Sequence, residues 1–190
     1  MLQKKLREIL AGKTFAMGRV FGKAASANTY TALVLLFGIG GGLLLALQYV
    51  AAAILCILLS GFFDAIDGAV AKANKKSSVF GGIFDSVTDK ITETAFYAGF
   101  FFGYPGLQTA SFLAAISFLL SSYTFKRILK EGKTPPGFVL LERKERIFII
   151  IAAIALAEFY TVASYYLLLL IAAWSFYSVL QMLCAAKKIF

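Results

Sequence analysis

The sequence predicts an all-α, polytopic membrane protein, and three observations support this prediction. Hydrophobic residues make up 60% of the 190 residues, and the mean hydropathy of +0.81 is too high for a soluble domain of this length. The apolar residues form runs long enough for helices that cross a hydrocarbon layer of about 30 Å. The basic residues are confined to alternate connections between these runs. We therefore expect a single membrane domain over residues 1–190.

Six apolar segments have the length of a transmembrane helix, about 20 residues. They are residues 28–48, 50–72, 79–103, 106–127, 145–162 and 164–185. Together they predict a six-helix bundle over residues 28–185. In the preceding residues 1–24, charged and apolar side chains alternate at helical spacing. This pattern predicts a juxtamembrane amphipathic helix at the membrane interface rather than a cleavable signal peptide.

The net charge is +9, and the basic residues that produce it lie on one side of the predicted bundle. This placement is typical of a membrane protein, so we expect no nucleic-acid partner. All 19 lysines and arginines lie at the termini, or in every second connection and the helix ends beside it. The opposite connections, near Gln48 and near Tyr104, contain neither residue. The positive-inside rule then predicts a multi-pass protein of the cell membrane with both termini in the cytoplasm.

The chain has four aspartates, and they lie within 26 consecutive residues on two successive predicted membrane helices: Asp64, Asp67, Asp85 and Asp89. Spacings of three and four residues place each pair on one face of its helix. The connection between the two helices is short, so we expect antiparallel neighbours whose acidic faces meet on the cytoplasmic side. Carboxylates inside a membrane are costly and usually functional.

Four close carboxylates need a countercharge, because like charges raise one another's proton affinity. The chain has no histidine, and Cys56 and Cys184 lack metal-ligand spacing. Oxygen ligands alone favour Mg²⁺ or Mn²⁺ over zinc, and a pair of such ions is a common device for displacement at phosphorus. The alternative is a cation transporter. We disfavour it because no second set of polar residues continues toward the other side.

The acidic segment resembles the signature of the CDP-alcohol phosphotransferases, Asp-x2-Asp-Gly-x2-Ala-Arg-x8-Gly-x3-Asp-x3-Asp. It runs from Asp64 to Asp89 and matches every fixed position except Lys72, where the family has arginine. Lysine keeps the charge but not the bidentate geometry of arginine. Asn28 and Thr31 resemble the family's Asn-x-x-Thr element at the start of the first span. The resemblance implies a six-span, metal-dependent enzyme that releases CMP from a CDP-linked lipid, and a homodimer.

The resemblance also implies roles for the matched residues. All four aspartates would hold the metal ions, and Asp89 would also be the catalytic base. The residues implied in CDP binding are Asn28, Thr31, Asp64, Gly68, Ala71, Lys72, Ser78 and Gly81. An alternative for the small residues is that they only permit close helix packing. The Gly38-x3-Gly42 pair is a further motif of that kind.

Basic residues beside predicted spans four and five are candidates for binding a phosphate on the acceptor. They are Lys126, Arg127, Lys133, Arg143 and Arg146. The run 141–146 resembles the Glu-Arg-x-Glu-Arg element of synthases whose acceptor is inositol 1-phosphate, so this acceptor is our first expectation. Glycerol 3-phosphate would use the same cations, whereas serine or ethanolamine would need none. The remaining alternative is that these cations only anchor helix ends to anionic lipid.

Overall fold

The computed structural model describes residues 17–73, 78–133 and 143–189. Within these ranges it contains six α-helices and a short 3-10 helix at Pro105–Leu107, besides a helical segment at residues 17–21. The α-helices are α1 (Ala27–Ala46), α2 (Val50–Ala73), α3 (Val79–Gly103), α4 (Gln108–Lys130), α5 (Arg143–Ala157) and α6 (Thr161–Ile189). The described residues include no strand, which confirms the all-α prediction.

Four of these helices are long and apolar enough to cross a membrane: α1, α2, α4 with the turn before it, and α6. Helix α3 carries four charged residues between Asp85 and Glu93, and α5 has only 15 residues. The structure therefore supports an integral membrane protein, and the count of six spans stays a prediction. Residues 1–16 of the predicted amphipathic helix lie outside the described residues.

The helices that carry the aspartates begin and end where local side chains favour it. Ser78 caps α3, because its hydroxyl accepts a hydrogen bond from the amide of Gly81 at 2.9 Å. Ser26 caps α1 in the same way through Thr29. Such caps satisfy amide groups that have no partner within the helix. Both capped N-termini lie at the end of the bundle where α2 finishes.

Helix α1 packs extensively against both α2 and α3, whereas α2 and α3 make few backbone contacts with each other. This arrangement differs from our expectation of direct neighbours. The space left between α2 and α3 at the capped end becomes a cavity. The second half of the bundle consists of α4 and α6, which pack together, and of α5, which packs mainly on α6.

Close contact between α1 and α3 depends on glycine. A Cβ atom at Gly99 would lie 2.6 Å from the carbonyl oxygen of Gly42. Added Cβ atoms at Gly38 and Gly42 would collide with Thr92 and Ala95 of α3. The Gly38-x3-Gly42 motif is therefore used for packing within the chain, and it offers no support for a dimer contact.

Candidate functional site

Three of the four aspartates come together where α2 faces α3. Asp64, Asp67 and Asp85 each place one carboxylate oxygen within 4.8 Å of the other two. Asp67 is buried, with 6% of its surface exposed, and the other two are partly exposed. An oxygen cluster of this kind fits a hard divalent cation such as Mg²⁺ or Mn²⁺. Fully ionised carboxylates at this separation would repel one another without such a charge.

Asp67 is held in place by α1. The hydroxyl of Thr31 donates a hydrogen bond to Asp67 Oδ2 at 2.8 Å, and both residues are buried. Thr31 was predicted to contact the CDP group. In the structure it contacts the carboxylate and also lines the cavity beside it. This hydrogen bond fixes the orientation of the Asp67 carboxylate.

The space between α2 and α3 forms a cavity of about 160 Å³ next to the carboxylates. It is lined by Ala27, Asn28, Thr31, Asp67, Gly68, Ala71, Ser78, Gly81, Gly82 and Asp85. Six of the eight residues predicted to bind CDP are among them. A Cβ added at Gly68 or Gly82 would have no atom within 4 Å, so at these positions glycine leaves the cavity open rather than permitting helix contact.

We predict that Gly68→Leu raises the KM for the CDP-linked substrate by at least about tenfold, because the new side chain enters the open cavity. Folding should be preserved, since the position is unobstructed and leucine favours helix. Gly40→Leu is the matched control, because Gly40 is also unobstructed but lies on α1 away from this cavity. Equal KM values for the two variants would contradict the assignment of the cavity to CDP.

A second cavity, of about 520 Å³, adjoins the first at Gly68 and runs between α2 and α5. Asp64, Lys72 and Arg143 provide its charged lining, and apolar residues provide most of the rest: Ile57, Ala65, Ala69, Phe96, Ile147 and Phe148. The two remaining residues predicted to bind CDP, Asp64 and Lys72, are therefore found here. A cavity that combines charged and apolar lining is suited to an amphipathic ligand.

Arg143, the first residue of α5, bridges two aspartates. Its Nη1 atom lies 2.7 Å from Asp64 Oδ1 and 2.6 Å from Asp89 Oδ1. Asp89 is thus next to the three-carboxylate cluster but is paired with a guanidinium. A guanidinium has five N–H donors, so Arg143 has further donors for a phosphate or carboxylate ligand.

The other cations predicted to bind the acceptor phosphate differ in their distance from the acidic cluster. Lys126 of α4 donates to the hydroxyl of Ser86, the residue after Asp85, and lies close enough to Asp85 for an electrostatic interaction with its carboxylate. The next residue, Arg127, pairs with Glu131 on the exposed face of α4. Lys133 is exposed beyond the end of α4. Arg143 and Lys126 are the two candidates that the structure brings to the site.

Arg146 is buried and forms an ion pair with Glu93, a residue that the sequence analysis did not select. Glu93 lies four residues after Asp89 and therefore continues the acidic face of α3. The sequence signal for Glu93 is this spacing of four residues, which also separates Asp85 from Asp89. The family signature ends at Asp89 and does not extend to Glu93.

The family model of the CDP-alcohol phosphatidyltransferases matches residues 24–179. This match includes α1 to α5 and most of α6, together with every residue of the acidic cluster. The chain therefore belongs to the CDP-alcohol phosphatidyltransferase family, as its acidic segment predicted. It is an enzyme of the transferase class.

Solved structures of phosphatidylinositol phosphate synthase from Mycobacterium tuberculosis share the fold. The form with CDP-DAG bound is 22% identical, with a TM-score of 0.79 over 90% of this chain and 92% of that chain. The apo form is 20% identical, with a TM-score of 0.80 over 91% and 95%. The complex with manganese and citrate is 21% identical, with a TM-score of 0.80 over 92% and 89%. No curated protein sequence matches this chain.

Proposed function

We propose that the enzyme transfers a lipid phosphate group, phosphatidyl or archaetidyl, from a CDP-linked lipid to inositol 1-phosphate and releases CMP. The observation that carries this proposal is the position of the three-carboxylate cluster between two cavities. The smaller cavity has Asp67 and Ser78 in its polar lining, and its glycines leave space for a ligand. The larger one continues from charged residues into an apolar lining, which suits a lipid chain.

The donor follows from this pair of cavities and from the family. A CDP-lipid has a polar nucleotide, a diphosphate and an apolar tail, and the two cavities meet at Gly68, beside Asp64 and Asp67. The similar synthase from Mycobacterium tuberculosis has been solved with CDP-DAG bound. Lys72 lines the larger cavity and is suited to pair with the diphosphate as a point charge.

Asp64, Asp67 and Asp85, with Asp89 beside them, are proposed to hold one or two Mg²⁺ or Mn²⁺ ions. The similar synthase has also been solved with manganese. Bound divalent ions would neutralise charge on the diphosphate and on the leaving CMP. Thr31 keeps Asp67 oriented toward the cluster. Asp89 is proposed to accept the proton of the acceptor hydroxyl as that oxygen attacks the lipid-bearing phosphorus, and the bond to CMP breaks.

A phosphorylated acceptor is favoured by the cations at the site. Lys126 reaches it from α4 and Arg143 from α5, and both can donate to phosphate oxygens. The family resemblance and the named activity of the similar synthase point to inositol 1-phosphate rather than glycerol 3-phosphate. We further propose six spans with both termini and the site in the cytoplasm, where a water-soluble acceptor is available, and a homodimer.

The test is CMP release by the purified protein in detergent, with Mg²⁺ or Mn²⁺ and with CDP-diacylglycerol or CDP-archaeol. Inositol 1-phosphate, inositol, glycerol 3-phosphate and serine are compared as acceptors, and Asp89→Asn is the inactive control. We expect release that requires both a divalent ion and inositol 1-phosphate. Release with glycerol 3-phosphate alone would keep the reaction and overturn the acceptor. A folded protein that releases no CMP with any acceptor would overturn the reaction, and ion flux in liposomes would then be measured.

A further inference from the structure

A second ion pair lies one helical turn from the Arg143–Asp89 pair, deeper in the bundle. Arg146 Nε is 2.6 Å from Glu93 Oε1, and its Nη2 is 3.2 Å from Glu93 Oε2. This two-point contact is the planar geometry in which arginine binds a carboxylate most firmly. Glu93 is 1% exposed and Arg146 is 8% exposed.

The groups around this pair hold it in one geometry. The hydroxyl of Tyr97 donates to Glu93 Oε1 at 3.2 Å. The guanidinium carbon of Arg146 lies 4.7 Å from the centre of the Phe118 ring, and the ammonium of Lys90 lies 4.8 Å from the same ring. Phe118 is itself buried. Each partner of the ion pair is therefore also fixed by a neighbour on α3 or α4.

The two ion pairs form successive steps between α3 and α5. Asp89 and Glu93 are four residues apart on α3, and Arg143 and Arg146 are three apart on α5, so each helix presents both members on one face. The backbones of α3 and α5 make few contacts, and α5 packs mainly on α6 with a smaller contact to α2. Long side chains, rather than close helix packing, thus connect α5 to the helix that carries Asp85 and Asp89.

We infer that Glu93 and Arg146 are positioning residues, which fix the rotation and register of α5 so that Arg143 stays at Asp64 and Asp89. This inference rests on the proposed function, in which Arg143 binds the acceptor phosphate. It gives Arg146 a different role from the one predicted from sequence. Arg146 lines neither cavity beside the carboxylates, and its guanidinium is engaged by Glu93.

A double-mutant cycle on acceptor KM tests whether the pair acts through Arg143. We expect Glu93→Gln to raise the KM for inositol 1-phosphate at least about fivefold and to change the KM for the CDP-lipid by less than about twofold. In an Arg143→Gln background, Glu93→Gln should add less than about a further twofold, because the residue that it positions is already absent. If the increases in acceptor KM caused by Glu93→Gln and Arg143→Gln multiplied in the double variant, the inference would be overturned. Glu131→Gln is the control, since it breaks an exposed glutamate–arginine pair outside the site.

Two further variants separate positioning from general instability. Glu93→Leu combined with Arg146→Met replaces the buried pair with apolar residues, a change that often preserves folding. We expect this double variant to fold and to show the same rise in acceptor KM as Glu93→Gln. If it retained the wild-type KM, the pair would have no positioning role.

A spectroscopic measurement decides the same question without the reaction. Spin labels at Val87→Cys on α3 and Ala152→Cys on α5, in a background of Cys56→Ala and Cys184→Ala, report the distance between the helices. We expect a narrow distribution that broadens in Glu93→Gln and stays narrow in Glu131→Gln. If the distribution of distances between the labels were unchanged in Glu93→Gln, the inference would be overturned, whether or not the wild-type enzyme released CMP. Absence of CMP release from the wild-type protein, with broadening present, would instead overturn only the proposed function.

Discussion

Asp67→Asn should lower metal-dependent CMP release by on the order of 100-fold or more. Asp67 is the most buried member of the three-carboxylate cluster, and its Oδ2 is already oriented by Thr31 at 2.8 Å. Asparagine keeps the size and the hydrogen-bond acceptor. It removes the negative charge and replaces one ligand oxygen with an amide nitrogen, which does not bind Mg²⁺ or Mn²⁺. The loss therefore reports on metal binding rather than on shape.

The measurement is the rate of CMP release as a function of Mn²⁺ concentration, together with Mn²⁺ binding followed by electron paramagnetic resonance in the absence of substrates. Asp67→Asn should require a higher Mn²⁺ concentration for half-maximal rate and should bind the ion more weakly. Glu158→Gln is the control, because it removes an exposed carboxylate outside the site. Wild-type activity and Mn²⁺ affinity in Asp67→Asn would show that the cluster is not the metal site.

The helices and the acidic faces were predictable because they follow from local periodicity. The predicted spans at 28–48, 50–72 and 79–103 differ from α1, α2 and α3 by no more than two residues at either end. The spacing of three residues between Asp64 and Asp67 sufficed to place them on one side of α2. The fifth predicted span, 145–162, was less accurate, since α5 ends at Ala157.

Contacts between residues far apart in the chain were not predictable in this way. The Thr31–Asp67 bond joins residues 36 apart, and the Arg146–Glu93 pair joins residues 53 apart. The position of α1 between α2 and α3 depends on which apolar faces fit together, and hydropathy does not distinguish among them.

Neighbouring cations show the same limit. Lys126 and Arg127 are adjacent cations, so the sequence pattern predicts the same role for both, although successive residues of a helix point about 100° apart. One reaches Ser86 beside the acidic cluster, and the other pairs with Glu131 on the exposed face. Arg143 and Arg146 share a face, yet one lies at the charged end of a cavity and the other is buried against Glu93. Arg143 and Arg146 differ in their depth in the bundle, and the spacing of residues in the sequence does not predict this depth.

Arg143→Gln should raise the KM for inositol 1-phosphate roughly 30-fold, which corresponds to about 2 kcal/mol for a lost charge-assisted hydrogen bond to phosphate. Arg143→Lys should give an intermediate value, because lysine keeps the charge but lacks the planar set of donors. The KM for the CDP-lipid should change much less, since Lys72 and the cavity beside Gly68 remain. Initial rates of CMP release at varied acceptor and donor concentrations provide both values.

Lys130→Gln is the matched control, because Lys130 is an exposed cation at the end of α4 and its loss changes the net charge by the same amount. A general effect of charge on an anionic acceptor would raise the acceptor KM equally in both variants. Loss of a specific contact would raise it only in Arg143→Gln. The opposite pattern is also informative. If Arg143→Gln raised the KM for the CDP-lipid and left that for inositol 1-phosphate unchanged, Arg143 would belong to the donor site, and the acceptor phosphate would have to be bound by Lys126 from α4.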